Sequence, residues 1–293
     1  MTRILLTGAT GFLGRRFLEL SPESVRIVRG MGSREVDLRQ RFLDPADYAG
    51  KIDWVIHFAG LLGTSDARHS QLDLYETNVL GSLRVAEFCQ QTSASMLYVS
   101  TYVYSNKAAM PTSELEPVEP RNPYTLSKWI AEMVCQSVLE KSDSKLAIAR
   151  VFNVYGPNQR ITSLVPAIID RVLNEKSIQI IDGSISRDLV YVDDVISALL
   201  SLVASSPMAT SSDIFNIASG KTTSVAELVS AIQTLAGTRK PVIYSAVGSD
   251  DVIKCTLADI SKISGYTGWT PETSLMSGLE NCINLFSTRS EIH

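Results

Sequence analysis

The sequence is poor in the residues from which metal sites and covalent frameworks are built. Its four cysteines (Cys89, Cys135, Cys255, Cys282) are widely separated, and its three histidines (His57, His69, His293) do not cluster. A disulfide scaffold and a zinc centre are both excluded as the organising device, and no metal is expected. Long apolar runs are missing as well. The longest, Val195–Ala204, is interrupted by Ser197 and Ser201 and falls far short of the ~20 residues of a membrane span. At the N-terminus Ile4-Leu5-Leu6 gives way at once to Thr7-Gly8, so a signal-peptide core is absent. Charge of one sign is lacking too: 27 Lys+Arg stand against 31 Asp+Glu, a net of −4 spread along the chain. That balance argues against a protein that tracks nucleic-acid phosphates. These absences predict a cytoplasmic protein with neither membrane nor nucleic acid as partner. With 45% hydrophobic and 20% charged residues the chain is too apolar for disorder.

What is present is an alternation of two periods. Arg3–Thr7, Val25–Val28, Trp54–Ala59, Met96–Ser100 and Leu146–Phe152 read as short buried strands. Phe12–Leu20, Asn78–Gln91 and Tyr124–Lys141 carry apolar residues at helical spacing. Apolar strands alternating with helices predict an α/β fold: a Rossmann-type doubly wound parallel sheet, with ligands beyond the carboxyl ends of the strands. After Phe152 the pattern loosens into helices at Leu164–Glu175, Asp193–Ser205 and Val225–Leu235 and strands at Ile178–Ile181, Ile214–Ile217 and Val242–Tyr244. The 293 residues therefore divide into a dinucleotide-binding domain over 1–152 and a smaller C-terminal α/β substrate-binding lobe over 153–293. Segments near 188–196 and 214–218 are expected to return to the first domain.

Residues 3–14, RILLTGATGFLG, run from a strand through Gly8, Gly11 and Gly14 into a helix. Gly8 permits the sharp turn, Gly11 lets backbone approach a pyrophosphate, and Gly14 lets the helix sit close to the sheet. The phosphate charge then meets the helix N-terminus. The second strand ends at Arg29, where an NAD site would carry Asp or Glu. A guanidinium suits a 2′-phosphate, which tilts the expected cofactor, NAD or NADP, towards NADP. A solvated arginine is the competing role. The Asp37-Leu38 pair could face the adenine.

Tyr124 and Lys128 lie four apart at the start of a helix, on one face, and Tyr124 is the only tyrosine in the chain followed four residues later by a lysine. A phenol is a poor base at neutral pH, but a neighbouring ammonium favours its phenolate and proton exchange with a carbinol. The hydroxyl needed to hold the substrate oxygen is offered by Ser100 or Thr101, leaving the strand that begins at Met96.

In order, TGATGFLG, DWVIHFAG, YETNVLGS, LYVSTYVYS, NPYTLSK, ARVFNVYGP, RDLVYVDDV, FNIASGKTTSVAELV and YTGWTP resemble the extended short-chain dehydrogenase/reductase family over nearly the whole chain. This is the NAD(P)-dependent epimerase/dehydratase group that modifies nucleotide sugars. The resemblance implies Tyr124 as general acid/base, with Lys128 tuning it and holding the nicotinamide ribose. It implies Ser100 as the catalytic hydroxyl with Thr101 the alternative, and Asn78 as the family asparagine of the catalytic set. Thr10, Phe12 and Leu13 with the three glycines, and Phe58, Ala59 and Gly60, would line the cofactor. Asn153 and Arg187 would contact the sugar nucleotide near its diphosphate; a salt bridge to Asp188 or Asp193 is the other role open to Arg187. The resemblance also implies a homodimer through helices 78–91 and 124–141, for which plain covering of the sheet is the other role open.

Dehydratases of the family carry an Asp-Glu pair after the catalytic hydroxyl. Tyr102-Val103 stand there instead, which disfavours 4,6-dehydration. Hydride transfer at C4 of a nucleotide-diphosphate sugar remains, either as epimerisation or as ketoreduction. The alternatives are an NADPH-dependent reductase of a non-nucleotide ketone and a non-catalytic dinucleotide-binding scaffold. Three departures stand out. The stretch from the second strand to Asp37 is too short for the usual helix. Val247–Asp251 lacks the second diphosphate-binding arginine, leaving Lys240 or Lys254 to compensate or the ligand to be less anionic. Ser105 replaces the glycine after Val103-Tyr104.

Overall fold

The computed structural model describes residues 1–62, 69–180, 182–205, 210–245 and 253–290. The chain begins β1 (Thr2–Thr7), α1 (Phe12–Leu20), β2 (Val25–Met31), β3 (Trp54–His57), α2 (Gln71–Tyr75), α3 (Gly81–Thr92), β4 (Ser95–Thr101), α4 (Pro123–Leu139) and β5 (Leu146–Val151). It continues β6 (Asn153–Tyr155), α5 (Leu164–Asn174), β7 (Ile178–Ile180), β8 (Ser186–Tyr191), α6 (Val192–Ala204), β9 (Ser212–Ile217), β10 (Thr222–Ser224), α7 (Val225–Leu235), β11 (Val242–Tyr244), α8 (Ser261–Thr267) and α9 (Leu275–Ser290).

The central sheet is parallel, in the order β2-β1-β3-β4-β5-β9. Its strands are apolar without interruption because both faces are covered. Successive residues of a strand point to opposite sides. Ile4 and Leu6 therefore join Phe17 of α1 and Val195 and Leu199 of α6 on one face. Leu5 joins Val85 and Phe88 of α3 and Ala131 and Cys135 of α4 on the other.

β2 runs three residues past the expected Val28 because Arg29, Gly30 and Met31 go on pairing with Leu5, Leu6 and Thr7 after a register shift. Polar residues on an edge strand look like a turn, but the ladder holds them. The crossover from β2 to β3 contains only a 3₁₀ turn, Pro45–Asp47, so the short linker does omit a helix.

Beyond Phe152, β10, β8 and β6 form a separate small sheet, and β11 pairs with β7. A third core joins α5, α7 and α9 to β8. Asp188 ties this region to the central sheet. Fully buried, its carboxylate accepts hydrogen bonds from Ser219 N and Oγ (2.8 and 2.7 Å), Gly220 N and Ala258 N (both 3.1 Å). Burial raises the pKa of this carboxyl, and these donors work in the opposite direction. Asp188→Ala would strand several donors and should lower unfolding stability by about 2–4 kcal/mol in chemical denaturation. A loss under about 1 kcal/mol would contradict this account of the joint.

Candidate active site

A cleft of about 530 Å³ opens at the carboxyl edge of the central sheet, between the glycine turn, the end of β4, the start of α4 and the loop after β6. The glycine turn has the shape of a cradle. Gly8 is left-handed (φ +71°), and a Cβ there would come 2.6 Å from Ala59 N. A Cβ on Gly14 would collide with the Gly8 carbonyl oxygen. Gly11 caps α1 without a side chain, so the start of that helix is left open to an anion. Gly8, the 10–14 stretch, Phe58 and Gly60 line the cleft, with Ala59 packed behind Gly8. These residues fit a dinucleotide pyrophosphate.

Three residues assigned to the cofactor, Arg29, Asp37 and Leu38, are not among those that line the cleft. Arg29 is not at the end of its strand, and its guanidinium donates to the Tyr48 hydroxyl at 3.0 Å. Asp37 is held by Arg39, which also bridges Asp73; the Arg39 guanidinium keeps the Asp37 carboxyl below its ordinary range. Leu38 is buried under α3, its carbonyl taken by Arg84 at 2.7 Å.

The first turn of α4 is locked by a capping box in which Asn122 Oδ1 accepts from Thr125 N (2.9 Å) and Thr125 Oγ1 from Asn122 N (3.3 Å). Pro123 opens the helix and Tyr124 follows it into the cleft wall. Lys128 and Glu132 succeed it at four-residue steps.

The pleat of β4 sends its two hydroxyls apart. Ser100 Oγ donates to Glu132, itself paired with Arg150, away from the phenol. Thr101 is on the Tyr124 side, where its hydroxyl favours the phenolate. Both hydroxyls line the cleft with Tyr124, and Thr101, the alternative to Ser100, is the one that acts on the phenol, because alternate strand residues face opposite sides.

Burial pushes the Tyr124 phenol up to about 12, with Thr101 pulling it back. Burial also brings the Lys128 ammonium down to about 8, opposed chiefly by the charge of Glu132. Lys128 Nζ rests 4.1 Å from the centroid of the Tyr98 ring. The cleft therefore holds a protonated phenol beside an ammonium that burial has weakened.

Asn78 lies in a π turn, Glu76–Leu80, between α2 and α3. Its amide exchanges hydrogen bonds with Leu61 (N to Oδ1, 2.8 Å; Nδ2 to O, 3.0 Å) and donates to Ser127 Oγ at 2.9 Å. It braces the loop after β3 against α4. His57 is fully buried between Thr7 and Ser82; burial drives it down to about 3, so it stays neutral and structural.

Arg187 and Asn153 sit on the paired strands β8 and β6. The salt bridge open to Arg187 does not form: Asp188 is taken as described, and Asp193 by Arg16 at 2.6 Å. Burial lowers the Arg187 pKa, Tyr102 and Cys255 raise it, and no carboxylate pairs with it among the described residues. Asn153 Oδ1 accepts from Thr256 at 3.3 Å. Of the two candidate lysines, Lys240 Nζ is spent on the Leu173 carbonyl (3.0 Å), and Lys254 stands near Asp182. Val247–Asp251, where the second arginine is missing, lies outside the described residues. Arg15, Gln159, Arg160 and Ser163 also line the cleft. Sequence reasoning missed them; the only signal was the position of the last three just after Tyr155-Gly156-Pro157.

Residues 4–218 match the NAD dependent epimerase/dehydratase family. The chain is 29% identical to a putative UDP-glucose 4-epimerase of Methanocaldococcus jannaschii, covering 96% of this chain and 97% of that one. It superposes on MoeE5 solved with UDP-glucose and NAD at a TM-score of 0.83, with 29% identity over 99% of this chain and 100% of that one. MoeE5 solved with UDP-glucuronic acid and NAD gives a TM-score of 0.84, with 28% identity over 98% and 99%.

Two measurements test the site. Thr101→Val should lower kcat by about a hundredfold or more, whereas Ser100→Ala should act mainly on stability; equal losses of kcat would contradict the division. Lys128 is charged in the fold only below about pH 8, while the unfolded chain keeps its proton to about 10.4. Between those values the unfolded state binds more protons, so wild-type stability rises with pH. Lys128→Met should therefore unfold at higher temperature than wild type at pH 7, with the gap closing towards pH 10. A gap independent of pH would contradict the buried charge.

Proposed function

We propose, on the premise that this chain belongs to the NAD dependent epimerase/dehydratase family, that it interconverts nucleotide-diphosphate sugars epimeric at C4. The observation that carries this reading is the pairing of the Tyr124 phenol with the Thr101 hydroxyl, in the cleft above the glycine turn and one helical turn from Lys128. The relatives support it, being described as a putative UDP-glucose 4-epimerase and a protein solved with UDP-glucose and NAD. So does the absence of an acidic pair after Thr101, since Tyr102 and Val103 can neither abstract a proton nor expel water as carboxylates would.

In this reading Thr101 Oγ1 and Tyr124 Oη hold the C4 oxygen of the sugar. Tyr124 takes the proton of that hydroxyl and later restores it. The Lys128 ammonium favours the phenolate when the proton is taken and binds the nicotinamide ribose. A bound NAD or NADP, held by the 8–14 turn and by Lys128, would supply the hydride acceptor and donor for C4. Asn78 keeps the α4 entry in place. Arg187, lacking a carboxylate partner among the described residues, meets the diphosphate, with Asn153 beside it. The chain divides near Phe152, with the cofactor held mainly by residues before it and the sugar nucleotide by those after it.

Two chains would pair through the outer faces of α3 and α4, near which Leu80 and Met133 are exposed. Four free cysteines suit a cytoplasmic setting, and among the described residues no helix is long and apolar enough to cross a membrane.

Incubation with UDP-glucose and catalytic cofactor, followed by NMR of the sugar, should yield the C4 epimer with no net cofactor change. Stoichiometric cofactor consumption on a 4-keto sugar nucleotide would mark a reductase. Turnover restricted to non-nucleotide ketones would overturn the reading. Tyr124→Phe should lose roughly 10²–10⁴ in turnover yet bind the dinucleotide as wild type does.

A further inference from the structure

The end of β2 lacks the acidic side chain by which sheets of this kind normally recognise an adenosine ribose. The strand closes at Met31, whose carbonyl accepts the Ala9 N–H at 2.9 Å, so Gly32 is the residue that stands beside the glycine turn. A Cβ on Gly32 would come 2.6 Å from both Oγ1 and Cγ2 of Thr10, which leaves no room for a side chain. Another residue fills the gap. Glu35 N and Val36 N both donate to the Gly32 carbonyl (3.1 and 3.2 Å), and the tight turn folds Glu35 back on itself. Its Oε2 accepts the Gly32 N–H at 2.8 Å and lies 3.1 Å from the position that Cβ would take.

We infer that the Glu35 carboxylate, three residues beyond the expected position, reads the adenosine ribose, so that this chain takes NAD in preference to NADP. The inference rests on the dinucleotide reading of the glycine turn. A carboxylate accepts a hydrogen bond from a ribose 2′-hydroxyl and repels a 2′-phosphate. Cations stand close by: Arg15 Nε donates to the Thr10 carbonyl at 2.7 Å, and Arg34 is exposed one residue before Glu35. Glu35 thus decides between two ligands that the surrounding charge would otherwise rank the other way. Arg29, on the Tyr48 hydroxyl, takes no part.

Calorimetric titration of the purified protein with NAD and with NADP tests this without turnover. Wild type should bind NAD about tenfold or more tighter than NADP. Glu35→Gln should bring the two within roughly threefold by weakening NAD and strengthening NADP, while Arg29→Ala leaves both unchanged. Wild-type binding of NADP as tight as that of NAD, or a Glu35→Gln variant that keeps the wild-type ratio, would overturn the inference. Binding of neither dinucleotide would overturn the cradle reading itself.

Discussion

The Glu132 carboxylate and the Arg150 guanidinium meet at 2.7 Å between α4 and β5, 2% and 4% exposed. Removing two charges from water costs several kcal/mol each, and the pair is tolerable only if its remaining hydrogen-bonding capacity is used. Glu132 uses part of that capacity on Ser100, whereas Arg150 Nη1 is buried without a hydrogen-bond partner among the described residues. Ser100 donates to Glu132, which anchors the end of β4 where Thr101 emerges. The charge of Glu132 supports the Lys128 ammonium one turn away. Arg150 stacks 4.8 Å from the centroid of Tyr104, whose hydroxyl donates to Asn216 on β9. One ion pair thereby fixes three strands and a helix relative to one another. A better-packed apolar cluster could equal its stability, but it would leave Lys128 without a counter-charge.

The Lys128 site shows the opposite balance. An ammonium over the Tyr98 ring gains a cation–π contact and still loses more to desolvation, which is why its proton is held more weakly than in water. The fold accepts that cost one helical turn after Tyr124, in the wall of the cleft. Tyr124 is treated alike, its phenol kept protonated by burial while Thr101 offers partial relief.

The short crossover after β2 shapes the other end of the cleft. With no helix between β2 and β3, the segment is held by side chains: Arg39 between Asp37 and Asp73, Arg84 on the Leu38 carbonyl, and Glu35 on the Gly32 amide. The carboxylate of Glu35, folded back from the turn, thereby comes to stand beside Gly32 at the strand end.

Uninterrupted apolar strands and helical periodicity were sufficient to determine the parallel sheet, because a strand buried on both faces needs apolar residues at every position. The glycine spacing and the Tyr124–Lys128 step were legible for a similar reason, since local backbone geometry alone places those groups. Several features were not legible. β2 continued past Arg29 because its partner strand supplied hydrogen bonds that no local pattern reports. Ser100 and Thr101 are chemically alike, and only the pleat against α4 separates them. β6, β8 and β10 were missed because polar residues (Asn153; Ser186, Arg187 and Asp188; Thr222, Thr223 and Ser224) break the apolar run by which the short β7 and β11 stood out. Sequence, by itself, determined which chemistry this chain can perform. Tertiary structure alone decided which hydroxyl meets the phenol and which carboxylate stands at the end of β2, because both depend on contacts between segments distant or folded back in the chain.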